Sequence, residues 1–346
     1  MINKEAKMIR IAIIGAGAIG SVLGALLNRA GHEVTLIGRP NHVETIHNKG
    51  LKIEGLLGTF TAHVAASERL YFRPDLALLA VKTQDVVSAL QSNLDFLTDV
   101  PLLTLQNGIQ SDELVASLIP SQQVISVVVM LNASYLVPGE VTLAYSGGLV
   151  IGRPFGVRDA QVEQVAQILN QAVPTRVSNN MLGAHWLKLI VNLNNALPAL
   201  TNHSMSQVYA DPYLSNLAIR LMREGMHVTK QAGIQLESLP DVSVALARLV
   251  TLLPVSIAAN IIAVKARRME KKWPLLSSTL QSILRNSPTE IDYLNGEIVR
   301  IGDQFGIPTP LNAKIVGLVH QVERTRKFFS ADDVRQELSH SHIHVK

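Results

Sequence analysis

The sequence predicts an α/β chain, with a parallel sheet and its flanking helices in the N-terminal half and an all-helical C-terminal half. Three observations carry this. From Ile9 to about Val177, short apolar runs alternate with helical patterns, the signature of repeated strand–helix–strand units. A glycine-rich turn, Gly15-Ala16-Gly17-Ala18-Ile19-Gly20, joins the first apolar run to the first helical pattern. From Met181 to about Phe329 strand signals vanish and long helical periodicities take over.

A chain of 346 residues is long for one core, which favours two domains. The boundaries expected are 8–177 for the sheet domain, 178–330 for the helical domain and 331–346 for a polar tail. A hydrophobic fraction of 47% against 17% charged residues describes a globular protein with large cores. The formal net charge of +4 is mild, and no cluster of Lys and Arg marks a nucleic-acid footprint. It suits an enzyme that handles anionic small molecules. The absence of cysteine excludes disulfides and thiolate metal sites and fits a reducing cytoplasm. Outside the terminal Ser-His-Ser-His-Ile-His, no H-x-x-x-H pattern or acid cluster suggests a metal. Residues 1–8 are polar with no apolar stretch, so no signal peptide is expected.

The elements follow in order. Strands are predicted at Ile9–Gly15, Glu33–Gly38, Leu76–Val81, Leu102–Leu105 and Val124–Met130, with extended pieces at Glu140–Tyr145 and Leu149–Gly152. Helices are predicted at Ile19–Ala30, Asp85–Leu97, Asp112–Leu118 and Asp159–Val173. Pro174–Asn180 mixes proline with turn formers and reads as a connector. In the helical half, Leu249–Val264 carries no formal charge. It is shorter than the roughly 20 residues a membrane span needs and contains Pro254, so it reads as a buried or interface helix and a candidate surface for a homodimer. The closing Ser-His-Ser-His-Ile-His reads as a frayed terminus rather than a metal tail.

The glycines identify the sheet domain as a Rossmann-type dinucleotide-binding fold, because a β-branched strand precedes them and a helix with small residues follows. Gly15 allows the tight turn, Gly17 lets the backbone approach a pyrophosphate, and Gly20 brings helix and strand together. NAD-specific sites place an acid at the end of the second strand, where this chain has Gly38-Arg39. A guanidinium binds a ribose 2′-phosphate and a carboxylate repels it, so the cofactor predicted is NADPH/NADP. Lys82 and Asn107-Gly108 fall just after two further predicted strands, at the edge where open α/β sheets bind ligands.

The stretch His185 to Asn195, HWLKLIVNLNN, writes a lysine and asparagines into an apolar helical pattern. Lys188, Asn192 and Asn195 lie at i, i+4 and i+7 and would share one helix face, while Asn194 falls off it. Such a face is costly unless something polar meets it, either a protein group or a ligand. His185 and His203 flank this helix and read as satisfied surface or core residues. Asp292 reads as a helix cap or pairing partner.

In this order, over almost the whole chain, the glycine loop, Gly38-Arg39, Val81-Lys82-Thr83 with Asp85, Leu105-Gln106-Asn107-Gly108, Trp186-x-Lys188-Leu189-x-x-Asn192 and Thr289-Glu290-Ile291-Asp292-Tyr293-Leu294-Asn295-Gly296 resemble the ketopantoate reductases (2-dehydropantoate 2-reductases). The resemblance implies a Rossmann domain joined to a helical domain, with the active site in the cleft between them. It implies NADPH-dependent reduction of 2-dehydropantoate to pantoate, a step towards pantothenate and coenzyme A. By position, it implies that Lys188 is the catalytic general acid and touches the substrate, which Asn192 orients. The family usually has a second asparagine eight residues after the lysine; here that residue is Ala196, and Asn195 is the nearest replacement. Ser278 matches a serine near the substrate, and Glu290 a glutamate near the cofactor ribose or the substrate. Gly15, Ala16, Gly17, Ala18, Ile19, Gly20, Arg39 and Lys82 match cofactor contacts. Asn107 matches one too and also reaches the substrate. Ala133, in the segment before the Pro138-Gly139-Glu140 loop, matches a backbone contact on the nicotinamide side.

The chemistry agrees with those roles. Hydride transfer to a ketone builds negative charge on oxygen, which a nearby ammonium stabilises and protonates. A lysine in an apolar pocket has its pKa lowered towards neutrality, which suits a general acid. Two other readings are compatible with the same residues: a paralogue that reduces another 2-keto acid, and a non-catalytic NADPH-binding regulator.

Overall fold

The computed structural model describes residues 8–269 and 274–339, the side chains of 265–269 excepted. The N-terminal residues read for a signal peptide, up to residue 7, and the tail histidines His340, His342 and His344 lie outside the described residues. The chain divides into two compact units. One comprises the chain to Gln106 together with Gln110–Met181, the other Asn107–Ile109 with the chain from Leu182 onward.

In the first unit the described residues form one sheet. Its strands are β1 (Arg10–Ile14), β2 (Glu33–Ile37), β3 (Leu51–Gly55), β4 (Phe60–Ala62), β5 (Ala65–Ser67), β6 (Leu76–Leu79), β7 (Leu102–Thr104), β8 (Val124–Val137), β9 (Glu140–Gly152) and β10 (Thr175–Val177). Its helices are α1 (Ala18–Arg29), α2 (Pro40–Lys49), α3 (Val86–Gln91), α4 (Ser111–Ala116) and α5 (Ala160–Asn170). The strand order is β4-β3-β9-β8-β7-β6-β1-β2-β5, with β10 added to β9. Strand β1 pairs in parallel with β2 on one side and β6 on the other. The order therefore reverses at β1, and a crevice opens beyond the carboxyl ends of β1 and β6.

The sheet is covered on both faces, so its central strands read as continuous apolar runs. Alternate residues of β1 serve different cores: Ile11 and Ile13 pack with α1, and Ala12 and Ile14 with residues of α3 and β6. At the carboxyl end of β7, the buried Asp112 carboxylate accepts hydrogen bonds from the Thr104 and Ser126 hydroxyls, the latter at 2.6 Å. This ties the first turn of α4 to β7 and β8.

The expected parallel core strands are all present, but the structure departs from the sequence reading at four places. The run expected to end at Met130 continues as β8 to Val137 and turns at Pro138-Gly139 into β9, which joins the two extended pieces in one antiparallel strand. Gly139 supplies the positive φ of +78° that the tight turn needs. Pro174–Asn180, expected as a connector, contributes β10, because β9 outruns β3 and leaves an edge at Leu149–Ile151 for Thr175–Val177 to pair. Helix α2 and strands β3 to β5 were not predicted, being short and, in α2, largely polar. The fourth place is the chain end: residues read as the start of a polar tail form a helix (α15 below) that buries Val334 and Leu338, one turn apart.

Apart from one isolated bridge between Leu239 and Val242, the regular elements among the second unit's described residues are helices. Its helices are α6 (Met181–Asn192, from the last residue of the sheet unit), α7 (Ala196–Thr201), α8 (Met205–Ala210), α9 (Pro212–Gln231), α10 (Val244–Leu252), α11 (Val255–Met269), α12 (Ser278–Leu284), α13 (Asn295–Phe305), α14 (Pro310–Thr325) and α15 (Ala331–Ser339). Side chains of Ser204, Asp211, Ser243 and Ser277 cap four of them, each worth about 1 kcal/mol. The uncharged stretch Leu249–Val264 is split by Pro254 into parts of α10 and α11. Val250, Ala258 and Ala259 are buried, while Leu249, Leu252, Ile257, Ile261 and Val264 are exposed. Among the described residues no helix is long and apolar enough to cross a membrane.

The Asp112 clasp sets a stability test. Asp112→Ala leaves two buried hydroxyls without their carboxylate acceptor and should cost about 2–3 kcal/mol. Urea denaturation should show a lower midpoint with an unchanged slope, and Asp112→Asn should recover part of the loss.

Candidate active site

The glycine-loop edge of the sheet unit is built by close backbone approaches. Gly15 has φ +111°, and a Cβ there would stand 2.5 Å from the Val81 nitrogen. A Cβ on Gly20 would stand 2.1 Å from the Gly15 carbonyl oxygen. Neither position tolerates a side chain. Gly17 meets nothing within 4 Å and is the residue that caps α1 without a side-chain bond. The first turn of α1 carries no acid, so no negative side chain there offsets the positive end of the helix dipole. These residues fit a pyrophosphate.

Arg39 caps α2 in extended conformation and is exposed. The preceding Gly38 packs so closely on the loop that a Cβ there would lie 2.8 Å from the Ala16 Cβ. Behind it stands His42, which sequence reasoning missed. Its Nδ1 accepts from the Gly139 N–H at 2.9 Å, and its Nε2 lies 3.2 Å from the Ser21 hydroxyl. Burial pushes its pKa down to about 4, so the ring is neutral with its proton on Nε2, donated to Ser21. His42 thus fastens the Arg39 helix to the glycine-loop helix and the β8–β9 turn. The available signal was a histidine three residues after the arginine.

Lys82 follows β6 and is partly buried. The end of that strand is held by Gln106, whose amide donates to the carbonyls of Leu79 at 2.8 Å and Val81 at 3.0 Å. Ala133 is buried inside β8, beyond Met130 where the predicted strand ended.

The second group lies within the helical unit. Asn107 follows the β7 segment yet clusters with that unit, and its Oδ1 accepts from Asn192 Nδ2 at 3.2 Å. Gly108, at φ +86°, backs onto the Tyr293 carbonyl, 2.7 Å from where a Cβ would be. Lys188 sits one turn before Asn192 on α6, between buried Leu187 and Leu189. Burial lowers its pKa to about 8, and the negative charge of Glu290 opposes the shift. The structure thus associates Lys188 with Glu290 and Asn192 with Asn107.

The single face predicted for Lys188, Asn192 and Asn195 is not a continuous α-helix. Helix α6 ends at Asn192, Leu193–Asn195 form a 3-10 turn, and α7 begins at Ala196. Pro198 is the cause: it has no N–H to give the Asn194 carbonyl, and its ring would clash there. The carbonyls around the break are met from elsewhere, that of Leu193 by Asn295 Nδ2 at 3.2 Å and that of Asn195 by Ser277 Oγ at 2.9 Å. Asn195 stays partly exposed, whereas Ala196 is fully buried. Asn194 turns inward and donates to the Tyr209 hydroxyl at 3.1 Å. Ser278 is partly buried in the first turn of α12, beside the capping Ser277. His185 is buried, and Asp292 pairs with His320.

The chain matches known proteins over most of its length. A family described as ketopantoate reductase PanE/ApbA matches residues 11–155, and its C-terminal counterpart matches 180–323. The 2-dehydropantoate 2-reductase of Pyrococcus horikoshii is 32% identical over 316 residues, covering 91% of this chain and 97% of that protein. The solved structure of a PanE/ApbA family ketopantoate reductase from Ralstonia eutropha has a TM-score of 0.73 at 31% identity, covering 92% of this chain and 99% of that one. D-mandelate dehydrogenase with NADH and anilino(oxo)acetate has a TM-score of 0.78 at 24% identity, covering 91% and 99%, a likeness of fold.

The partly buried ammonium of Lys188 has a stability signature. An unfolded lysine titrates near 10.5 and Lys188 near 8, so below pH 8 the folded state carries the full penalty of a desolvated charge. The penalty fades as pH rises from 8 to 10.5. Replacing Lys188 with Met should therefore stabilise the protein at pH 7 by about 2 kcal/mol after allowance for partial exposure. The gain, read as a melting-temperature difference, should shrink towards pH 10.

Proposed function

This chain belongs to the ketopantoate reductase family, and on that premise we propose that it is an NADPH-dependent reductase converting 2-dehydropantoate to pantoate, on the way to pantothenate and coenzyme A. The observation that carries the reading is Lys188, an ammonium brought to a pKa of about 8 by an apolar helix, one turn from an asparagine already bonded to Asn107.

The reduced nicotinamide supplies the hydride for the carbonyl carbon. The residues of this chain do the rest. The N-terminal amides of α1 hold the pyrophosphate, with Gly17 giving the space. Arg39, exposed and with no acid at the end of β2, binds the 2′-phosphate. Asn107 and Asn192 orient the keto acid through amides that do not titrate, and Asn195 and Ser278 supply the further polar contacts. Lys188 stabilises the charge that builds on the carbonyl oxygen, then gives that oxygen its proton and recovers one from solvent. A pKa near 8 keeps most of it protonated at neutral pH and makes that proton easier to give. A regulator that only sensed NADPH would have no use for such an acid.

Ala196 favours a second reading, a paralogue that reduces a different 2-keto acid. The position where the family usually has its second asparagine is buried here in the helical core and cannot contact substrate. Oxidation of NADPH followed at 340 nm with a panel of 2-keto acids decides. Turnover of 2-dehydropantoate supports the main reading, and turnover of other acids alone supports the paralogue.

Two variants test the assignments. Arg39→Asp should raise Kd for NADPH roughly 30-fold or more, through loss of one charge-assisted contact, and change that for NADH much less; equal losses would sink the cofactor assignment. Lys188→Ala should leave NADPH affinity intact while kcat falls about 100- to 10,000-fold. In the unmodified enzyme kcat should decline as pH rises through about 8, as Lys188 loses its proton.

A further inference from the structure

The turn that carries Glu290 is fastened on both sides by helix α14. On its N-terminal side the Thr289 N–H donates to Glu323 Oε1 at 2.7 Å. On its C-terminal side His320 Nε2 lies 3.0 Å from Asp292 Oδ1, while His320 Nδ1 lies 2.6 Å from Glu323 Oε2. Glu290 therefore sits between two anchors, one residue after Thr289 and two before Asp292. Within the turn, Thr289 Oγ1 accepts from the Ile291 N–H at 3.3 Å. The same turn presents the Tyr293 carbonyl against Gly108, next to Asn107.

The imidazole bridges two carboxylates, so both ring nitrogens donate and the ring is charged in the closed clasp. Burial opposes that charge, but the bonds to Glu323 and Asp292 outweigh it and hold the His320 pKa above its ordinary value. The two anchors are unequal. The Glu323 side chain is 19% exposed and Asp292 62%. An exposed pair is worth little, whereas a partly buried carboxylate on a backbone N–H is worth more. Glu323 is thus the main anchor, and His320 fixes its orientation.

We propose that Glu323 and His320 are positioning residues for Glu290, and that by fixing the 289–293 turn they set the field its carboxylate exerts on the Lys188 ammonium. Resting on the proposed role of Lys188 as the acid, this adds two residues outside every motif that pointed to the site. The charged groups involved are Glu323 on the helix of His320, Asp292 facing it from the turn, and Glu290, whose negative charge acts on Lys188. Loosening the clasp lets Glu290 drift towards solvent, where its charge is screened. Desolvation of Lys188 is then less opposed, and its proton is lost at lower pH.

The test needs neither substrate nor cofactor. In the full chain labelled with 13C at lysine Cε, the Lys188 signal is identified by its loss in Lys188→Arg and titrated by NMR. Glu323→Ala should lower the midpoint by about half a pH unit or more. His320→Ala should shift it the same way by less, and serves alone if Glu323→Ala does not fold. Glu323→Gln keeps an oxygen for the Thr289 N–H and should restore most of the midpoint. In kinetics, the high-pH limb of kcat should move with the NMR midpoint while KM for NADPH stays constant. A midpoint unchanged in the folded variants, with only the melting temperature lowered, would overturn the proposal. Failure to turn over any 2-keto acid would instead strike the proposed function, because the NMR midpoints would still be readable.

Discussion

Lys188 keeps its ammonium in a helix whose neighbours Trp186, Leu187, Leu189 and Ile190 are almost wholly removed from water, and two opposing terms decide its state. Burial disfavours the charge, while the carboxylate of Glu290 favours it. Burial wins by enough to bring the pKa to about 8 and not so far as to leave the amine neutral. Much of the helical unit follows from keeping that balance. Pro198 stops α6 just after Asn192, and Asn295 and Ser277 meet the carbonyls that the break exposes. Asn295 is itself bonded to Asn312, whose N–H and side chain both donate to Glu224. The helix bearing the lysine is thereby tied to α13, α14 and α9 by buried polar bonds, each of which is costly to leave unmade.

The sheet unit works under a different constraint, backbone proximity. Gly15 and Gly20 are required because carbonyl and amide atoms occupy the places a Cβ would take, while Gly17 has open space where its Cβ would stand. Around this loop, Gln106 holds the end of β6 and His42 holds α2 to α1. Both use side chains for bonds that the strand ladder does not supply. On the proposed reading, the sheet unit fixes the positions of Lys82 and Arg39 while the helical unit adjusts the charge state of the acid.

The sequence was most legible where a residue type answers to a local rule. The glycine loop, the parallel strands and the lysine in WLKL all follow from backbone sterics, periodicity or the cost of burying charge, and each can be read within about ten residues. It was less legible wherever two distant segments met. Strand β10 exists because β9 outruns β3, and the 3-10 turn at Leu193–Asn195 depends on Pro198 and on acceptors met from Ser277 and Asn295. His42, Gln106, Glu323 and His320 looked like ordinary polar residues of helices and loops.

By itself, then, the sequence determined the two-part fold, the glycine loop and the family, because these rest on short-range patterns that recur in a fixed order. Only the tertiary structure decided which polar residues face one another, and with them the titration of Lys188. A pKa depends on desolvation and on nearby charges, and the charge of Glu290 acts on Lys188 from a turn far along the chain, held there by bonds between elements that no local pattern encodes.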